Sequence, residues 1–489
     1  MAGGITDTRC WEGRVFVAGA WSPAHGGRAE AREPATGHRL AETAAANATD
    51  VAAAVTAAEH AQPNWSATPA TERARVLYRA ARLLEDHSDD VLWWLVREGG
   101  GTRAKATHEI GSTMDELLTA ASLATRPYGH LLPSAEGEHS YARRIPLGVV
   151  GVISPWNVPL LLGARAIAPA LALGNAVVLK PDPRTAVSGG YIMARLFEEA
   201  GLPGGVLNVV PGAAEAGESL VRSPGTAMIA FTGSTRVGRR IGGIAGERLT
   251  RVSLELGGNN PYIILSDADV EAAADAGAWG SFHHQGQICM AVGRHIVVES
   301  VAKRYIAALT KRAEALRVGD PWRDDPDLGP LIDDVQLRRV HRLVASAVSA
   351  GAVLHTGGTH EGPFYRPTVL SEVPQETELY QEETFGPVAA VVTVPDEDAA
   401  VEVANDTGYG LSAAVRTRSV EHGRAFADRL HTATVHVNGQ TIADSAFVPF
   451  GGRGASGNGG RYGAEYNLNE FTQWQWVTTR SDASGALAP

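Results

Sequence analysis

The sequence predicts an α/β protein whose core is a parallel β-sheet with helices on both faces. Short runs of β-branched and apolar residues alternate with helical stretches from residue 148 onward. Such runs are typical of strands that are covered on both sides. The 55 glycines and 26 prolines indicate many tight turns rather than low complexity. A chain of 489 residues is long enough for two or three domains.

The N-terminal quarter, up to about residue 125, is predicted to be mostly helical. Asn47 or Thr49 can cap a run rich in alanine and valine. A second helix begins near Thr71, and its apolar positions fall on one side. These positions are Val76, Leu77, Ala80, Leu83 and Leu84. Residues 126–145 then become irregular and extended, and we expect an arm that reaches a second subunit.

Four apolar runs mark the strands of the predicted sheet, at 148–153, 176–179, 206–210 and 228–231. Ligands of parallel sheets bind at the carboxyl ends of the strands. Those ends carry PWN at 155–157, KPDP at 180–183, PG at 211–212 and TGSTRVG at 232–238. A cofactor site is therefore predicted along this edge.

The segment 232–238 places Gly233 and Gly238 between a strand and a helix. Backbone amides and the Ser234 hydroxyl at the helix start could hold a pyrophosphate. Simple chain reversal is the commoner use of such a turn. The spacing also departs from the G-x-G-x-x-G of ordinary Rossmann folds.

Composition argues against several classes of partner. The net charge is −11 and no long basic run occurs, so neither nucleic acid nor an acidic membrane surface is expected as a partner. The N-terminus does not resemble a secretion signal, and no apolar stretch is long enough to span a membrane. We expect a cytoplasmic protein. Two cysteines provide neither a disulfide framework nor a multi-thiolate zinc site, and no metal site is predicted.

Cys289 is the candidate nucleophile. A cysteine without a motif around it is more often an inert core residue. Here the glycine-flanked run QGQ at 285–287 precedes it, and Glu255 lies 34 positions upstream in the Gly-rich segment 254–258. This context favours a reactive thiol. Cys10 has no comparable surroundings and is interpreted as a bystander.

Seven motifs occur in order: SPWN at 154–157, LKP at 179–181, FTGST at 231–235, LELGG at 254–258, GQIC at 286–289, EETFGP at 382–387 and PFGG at 449–452. Their order and spacing resemble those of the aldehyde dehydrogenase superfamily, over residues 51 to 472. The runs 180–187 and 278–285 are most similar to the benzaldehyde dehydrogenase branch.

The resemblance implies an α/β fold with three parts. These are a Rossmann-type parallel-sheet cofactor domain (1–125 and 146–256), an α/β catalytic domain (257–455), and a small oligomerisation arm with a tail (126–145 and 456–489). The run 470–477 alternates polar and apolar residues, as an edge strand does. In the family this strand joins a neighbouring subunit's sheet, so a homodimer or homotetramer is expected. Residues 481–489 resemble a frayed tail.

The resemblance also assigns the chemistry. An aldehyde carbon releases hydride only after a nucleophile has added to it, and a thiolate of Cys289 suits that task. Asn157 and the Cys289 backbone N–H would stabilise the oxyanion, and Glu255 would be the general base for hydrolysis. Without the family, Asn157 could be a turn residue, and Glu255 a helix cap or a solvated charge.

His283 and His284 suggest a Cys–His dyad by their closeness in sequence to Cys289. The family motif activates its thiol without a histidine base, which argues against that dyad. We expect the two histidines to line the substrate mouth or to satisfy the local backbone.

For the cofactor, the resemblance assigns Lys180 to the adenosine ribose, Ser234 to the pyrophosphate and Glu383 to the nicotinamide ribose. Phe385 and Gln336 are expected beside that ribose. The remaining implied cofactor positions are Ile153, Pro155, Trp156, Pro183, Gly212, Phe231, Gly233, Val237 and Leu256. Many NAD-preferring relatives have a glutamate where this chain has Pro183, and Arg184 follows. The cofactor is expected to be NAD, with NADP possible because that carboxylate is absent.

The implied substrate positions are Val158, Leu161, Phe282, His283, Ile288, Phe447 and Phe450. They are mostly apolar and suit a flat or aliphatic uncharged aldehyde, with an aromatic aldehyde favoured. No obvious arginine suggests a semialdehyde carboxylate, and each position could equally be core. A coenzyme A-acylating enzyme and a non-catalytic protein remain as alternatives. Glu255 argues against the first, and the intact set of Cys289, Glu255 and Asn157 argues against the second.

Overall fold

The computed structural model describes residues 4–127 and 129–480. The predicted tail at 481–489 lies outside the described residues, as do residues 1–3 and Tyr128. The strands are β1 (Arg14–Val17), β2 (Ala20–Pro23), β3 (Arg28–Arg32), β4 (Arg39–Ala44), β5 (Gly129–Leu132), β6 (Glu138–Pro146), β7 (Val149–Ile153), β8 (Ala176–Lys180), β9 (Leu207–Val209), β10 (Thr226–Gly233), β11 (Arg251–Leu256), β12 (Asn260–Ile264), β13 (Val292–Val298), β14 (Val353–Thr356), β15 (His360–Glu361), β16 (Phe364–Tyr365), β17 (Thr368–Ser371), β18 (Val388–Val394), β19 (Ser412–Arg416), β20 (Thr434–Val437) and β21 (Thr472–Arg480).

The α-helices are α1 (Thr8–Trp11), α2 (Ala48–Ala67), α3 (Ala70–Asp86), α4 (Ser88–Gly99), α5 (Arg103–Leu123), α6 (Pro159–Ala172), α7 (Ile192–Glu199), α8 (Ala214–Arg222), α9 (Thr235–Glu247), α10 (Val270–Phe282), α11 (Glu299–Ala315), α12 (Asp334–Ser349), α13 (Glu378–Gln381), α14 (Glu397–Asn405), α15 (Val420–Ala427) and α16 (Asn467–Phe471). Within the described ranges, none of them combines the length and the apolar character needed to cross a membrane.

The first sheet contains the predicted parallel strands, in the order β11-β10-β7-β8-β9-β1-β2. The strands β11, β10, β7, β8 and β9 are mutually parallel. Every residue of β7 and β8 is buried, which explains why these runs are apolar throughout. The predicted parallel sheet is confirmed.

The prediction of a mostly helical N-terminus is wrong for residues 14–44, which form four strands. β1 and β2 extend the first sheet at its edge, and β3 pairs with β4. Ala18 and Gly19, both at positive φ, form the two-residue turn between β1 and β2. These strands are too short to show a clear alternation of apolar and polar residues. The turn at Ala18 and Gly19 was therefore the available sequence signal for the hairpin.

From residue 48 the helical prediction is confirmed. The Asn47 side chain accepts hydrogen bonds from Thr49 N (2.9 Å) and Asp50 N (3.3 Å) at the start of α2. The Asp50 carboxylate accepts one from Asn47 N in return (2.9 Å), which completes a capping box. The predicted apolar side of α3 is buried at Val76, Leu77, Ala80 and Leu84, and Leu83 is half-buried.

The second sheet has the order β14-β17-β18-β13-β12-β19-β20 and is parallel except for β14. The domain boundary predicted at 256/257 falls between β11, in the first sheet, and β12, in the second. The division into domains stays a prediction.

A third sheet joins the arm to the C-terminal strand, in the order β21-β6-β5. β21 pairs with β6 along its whole length, from Thr472 opposite Pro146 to Arg480 opposite Glu138. The predicted edge strand is therefore confirmed, although α16 takes its first two positions. Contact with a second subunit stays a prediction.

Candidate active site

A cleft of about 970 Å³ lies at the carboxyl ends of the first sheet's parallel strands and is also lined by residues from the segments that connect the strands of the second sheet. Its volume is in the range of pockets that bind small ligands and cofactors. The predicted site residues that line it are Pro155, Trp156, Asn157, Gly233, Ser234, Glu255, Leu256, Cys289, Gln336, Glu383 and Phe385. The structure thus brings all three predicted catalytic residues together.

Cys289 lies in the loop between α10 and β13 and lines the cleft. The loop is fixed by the Asn260 side chain, whose amide donates to the backbone oxygens of Cys289 and Ala291, both at 2.8 Å. Burial raises the pKa of the Cys289 thiol to about 12, and the charges of Glu383 and Glu255 add to the effect. In the protein without ligands, Cys289 is therefore a thiol rather than the expected thiolate. A base must remove the thiol proton before the sulfur can attack.

Glu255 lies in β11 with only 4% of its surface exposed. Burial raises its pKa well above that of an ordinary glutamate, although Arg165 and Arg461 oppose the shift. Within the described ranges no side chain donates a hydrogen bond to either of its carboxylate oxygens. Because Glu255 is buried and lies in a strand, it is neither a helix cap nor a solvated surface charge, the two alternative interpretations from the sequence. The carboxyl group is suited to accept a proton near neutral pH.

Asn157 is fixed from two sides in the turn after β7. Its side-chain amide donates to Gln287 O (2.9 Å), and its own backbone oxygen accepts from Lys105 Nζ (2.8 Å). Lys105 pairs with Glu109 on α5 (2.5 Å), and Glu109 accepts from Leu160 N at the start of α6 (2.8 Å). An amide nitrogen carries two hydrogens, so one remains to stabilise an oxyanion in the cleft.

The two histidines near the thiol do not line the cleft. His284 is buried, and burial lowers its pKa well below the usual value. His283 stacks on Trp279, with ring centroids 4.8 Å apart, and burial lowers its pKa to about 4. Both rings are neutral at physiological pH, and their placement supports the argument against a Cys–His dyad. A role at the substrate mouth stays a prediction.

Ser234 is the N-cap residue of α9, and its hydroxyl makes no capping hydrogen bond. Gly238 brings this helix close to β11, because a Cβ at Gly238 would lie 2.4 Å from Leu256 Cδ2. Arg236 and Arg239 on the first turns also line the cleft. Free amides, a free hydroxyl and two arginines fit an anionic pyrophosphate. Sequence reasoning missed both arginines.

Val237 is exposed, and Phe231 is buried beside Gly233.

Lys180 marks the other end of the predicted cofactor groove. Its Nζ donates to Gly212 O (3.2 Å), and burial lowers its pKa. A Cβ at Gly217 would lie 3.6 Å from Lys180 Cδ and 3.9 Å from Ile153 Cδ1. Lys180, Gly212 and Ile153, which are all implied cofactor positions, are thus close together.

Arg184 changes the expectation for NADP. It donates to Asp182 Oδ1 (2.8 Å) and Asp333 Oδ2 (3.0 Å), and its guanidinium lies 4.9 Å from the ring centroid of Trp156. Pro183 begins a short 3-10 turn that Asp182 caps. Two carboxylates already occupy the arginine, so it does not present a free charge for a 2′-phosphate.

Glu383 lies at the predicted nicotinamide end. Its Oε1 accepts from Gly258 N (3.2 Å), and burial raises its pKa to about 7. A Cβ at Gly257 would lie 2.2 Å from Glu383 Oε2, so this approach requires a glycine. Arg339, which sequence reasoning missed, fixes the segment by donating to Glu383 O (2.6 Å) and Thr384 O (2.7 Å).

Phe385 and Gln336 contact each other at this end of the cleft. Gln336 Nε2 donates to Phe385 O (2.7 Å), and Phe385 meets Trp156 edge-on at 5.4 Å. Gln336 therefore holds the Phe385 backbone, and its reach to a ribose stays a prediction.

The predicted substrate residues are spread over different environments. Phe450 and Ile288 are buried together in a small cluster against which Cys289 packs. Leu161 is buried on α6, and Val158 is its half-buried N-cap residue. Phe447 is largely exposed. The structure does not support Phe282, which is 1% exposed in the hydrophobic core of the second sheet. A buried apolar side chain at a helix end is not distinguishable from a pocket residue by sequence alone.

Arg165 corrects the expectation that no arginine lies near the substrate. It lines a small cavity together with Cys289 and Glu255. Its guanidinium is paired with Glu116 (3.1 Å) and with Asp444, so its charge is already balanced. The sequence did contain a signal for this residue: Arg165 is the one charged residue among the 14 residues of the otherwise apolar helix α6.

The chain is similar to known proteins over almost its whole length. The profile of the Aldehyde dehydrogenase family matches residues 21–477. The chain is 49% identical over 469 residues to the NAD(+) benzaldehyde dehydrogenase of Pseudomonas putida. The matched region covers 96% of each of the two chains. It is 48% identical over 480 residues to a vanillin dehydrogenase of an Amycolatopsis species, covering 98% of this chain and 99% of that one. A solved NAD-dependent benzaldehyde dehydrogenase from Corynebacterium glutamicum superposes with a TM-score of 0.88 at 39% identity, covering 97% and 98%.

Proposed function

The chain belongs to the aldehyde dehydrogenase family, and from this premise we propose that it oxidises aromatic aldehydes of the benzaldehyde class to carboxylic acids. The observation that carries the proposal is the convergence of Cys289, Glu255 and Asn157 on one cleft, which Ser234, Glu383 and Phe385 also line. The names of the two similar relatives, a benzaldehyde and a vanillin dehydrogenase, support the aromatic class.

We propose NAD as the cofactor. The free hydroxyl of Ser234, the arginines at the start of α9 and the closely packed Gly257 fit the pyrophosphate and the nicotinamide ribose. Arg184 is paired with two carboxylates and so does not present a free charge to a 2′-phosphate. A bound nicotinamide would supply the hydride acceptor. Initial rates measured with each nucleotide also test whether the protein uses NADP.

The first step is addition of the thiol to the aldehyde. Cys289 Sγ forms a bond to the carbonyl carbon while the ionised carboxylate of Glu255 takes the thiol proton. The carbonyl oxygen becomes an oxyanion and accepts hydrogen bonds from the Asn157 amide and the Cys289 N–H. One such donor typically lowers the barrier by about 2.7–4 kcal/mol.

The second step converts the thiohemiacetal into a thioester. The oxyanion reforms its carbonyl and the carbon releases hydride, for which a bound nicotinamide would be the acceptor. Glu255 passes its first proton to solvent and then takes one from a water, whose oxygen attacks the thioester carbon. The C–S bond breaks, the sulfur regains a proton and the acid leaves. Burial of Glu255 beside the sulfur fits hydrolysis rather than transfer to coenzyme A.

Initial rates over a panel of benzaldehydes, aliphatic aldehydes and semialdehydes, with each nucleotide and without coenzyme A, test the proposal. We expect the benzaldehydes to have the highest kcat/KM with NAD, and Cys289→Ala to be inactive. A preference of about tenfold or more for aliphatic or charged aldehydes, or a requirement for coenzyme A, would contradict it. The cytoplasmic location and the oligomeric state stay predictions.

A further inference from the structure

The segment 441–450, here called the substrate-side segment, carries Phe450 to the reactive cysteine. It begins where Ser412 Oγ donates to Thr441 O (2.8 Å). It ends where Phe450 and Tyr462 exchange backbone hydrogen bonds (2.9 and 3.0 Å). Between these points most residues are exposed or half-buried. The position of the segment therefore depends on a small number of contacts.

One of these contacts is the ion pair between Asp444 and Arg165. The Arg165 side chain is 5% exposed, and its Nε also donates to Glu116 Oε1 at 3.1 Å. Glu116 belongs to α5 and Arg165 to α6, so one guanidinium links two helices to the segment. Breaking a buried ion pair is strongly destabilising, because the remaining partner is left uncompensated.

Arg165 contacts the segment at a second point. Its guanidinium carbon lies 4.6 Å from the ring centroid of Phe450. Phe450 packs with Ile288 and Leu411, and Cys289 packs against the same cluster. The guanidinium therefore fixes both the middle and the end of the segment next to the sulfur.

We propose that Arg165 is a positioning residue for aldehyde selectivity: by holding Asp444 and Phe450, it keeps the substrate-side segment as a flat wall beside Cys289. This inference rests on the proposed oxidation of aromatic aldehydes. An arginine suits the role because its planar group binds two carboxylates in fixed directions and stacks on an aromatic face, whereas a lysine ammonium does neither as well. Because its charge is balanced by Glu116 and Asp444, it does not require a charged substrate.

The test uses Asp444→Asn, which weakens the link to the segment and leaves Arg165 paired with Glu116. Asp398→Asn is the matched control, since Asp398 pairs with Arg429 outside the cleft. Selectivity is measured as the ratio of kcat/KM for benzaldehyde to that for propanal. We expect Asp444→Asn to lower this ratio about tenfold, through the KM for benzaldehyde. The KM for NAD should stay within about twofold, and the control should match the wild type.

Two further variants separate positioning from folding. Arg165→Lys should lower the same ratio, and Asp444→Glu, which retains the charge, should restore much of it. An unchanged ratio in Asp444→Asn, or a parallel rise in the KM values for NAD and both aldehydes, would overturn the inference. The wild type is measured first. If it prefers propanal, the proposed function fails; if it prefers benzaldehyde and the variants keep that preference, only this inference fails.

Discussion

At the scale of single residues, Cys289 shares its end of the cleft with two buried carboxyl groups. Glu383 and Glu255 both raise the pKa of the thiol, which burial alone already raises. The pKa of Glu383 is itself raised to about 7, so its negative charge is present above that pH and lost below it. The reactivity of the free thiol should therefore depend on the state of Glu383.

We predict that Glu383→Gln increases the reactivity of Cys289 in the protein without cofactor. Removing the charge lowers the thiol pKa, so the rate of alkylation by iodoacetamide at pH 8 should rise about threefold to tenfold. At pH 6, where Glu383 is largely protonated, the difference should be small. The measurement is made in a Cys10→Ser background.

The neighbouring carboxylate provides the control for this prediction. Glu382 also lines the cleft and accepts from the Tyr409 hydroxyl at 2.7 Å, but it is not among the charges that raise the thiol pKa most. Glu382→Gln should leave the alkylation rate unchanged. An equal effect of both variants, or none from Glu383→Gln, would contradict the assigned electrostatics.

The catalytic residues could be predicted from the sequence because they stand in contiguous motifs. The residues that position them could not. Lys105 donates a hydrogen bond to the backbone of Asn157, which is 52 positions away in the sequence. Arg165 pairs with Asp444, which is 279 positions away. These pairs are formed by the fold, and a single sequence shows only that a charge interrupts an apolar helix.

At the scale of elements, the approach of α9 to β11 positions the predicted pyrophosphate site. A Cβ at Gly238 would overlap Leu256, the residue after Glu255. The parallel strands were predicted correctly since strands buried on both faces are apolar throughout. β11 was not among the predicted strands: segment 254–258 was described only as Gly-rich, yet Glu255 lies in the strand. A buried carboxylate interrupts the apolar run that would have indicated it.

We predict that Gly238→Ala weakens cofactor binding. The added methyl group must push α9 away from Leu256, and overpacking of this kind typically costs about 1–3 kcal/mol. The KM for NAD should rise about tenfold and Tm should fall, while the KM for the aldehyde changes less.

Gly243 on the same helix is the control, since a Cβ there would meet no atom within 4 Å. Gly243→Ala should leave the KM for NAD unchanged and raise stability by up to about 1 kcal/mol, because alanine favours helix. If Gly238→Ala bound NAD as well as Gly243→Ala does, the close packing would not matter for the cofactor site.

At the scale of the whole molecule, the third sheet presents an apolar face to solvent. Trp474 is 49% exposed and Trp476 is 71% exposed, and both lie on the same face because they are two positions apart in β21. Exposed apolar patches of this kind mark protein interfaces. The alternation in 470–477 made the strand predictable, but its partner within the chain, β6, depends on pairing over more than 300 positions. We propose that this face contacts a second subunit.

We predict that the double variant Trp474→Lys, Trp476→Lys reduces the molar mass measured by light scattering from that of an oligomer to that of a smaller unit. Desolvating two lysines at the interface would oppose association. Leu249→Lys, at a residue 92% exposed outside the third sheet, is the control and should leave the mass unchanged. A monomeric wild type, or an unchanged mass in the double variant, would contradict the proposed interface.

The most direct test of the central claim is intact-protein mass spectrometry of Glu255→Gln after mixing with benzaldehyde and NAD. The amide cannot activate the hydrolytic water, whereas the thiol proton can still pass, more slowly, to solvent. We therefore expect a slowed burst of about one reduced cofactor per site and one benzoyl group on Cys289. Cys289→Ala should show neither. Steady turnover at the wild-type rate in Glu255→Gln, or reduced cofactor without an acyl group on Cys289, would contradict the account.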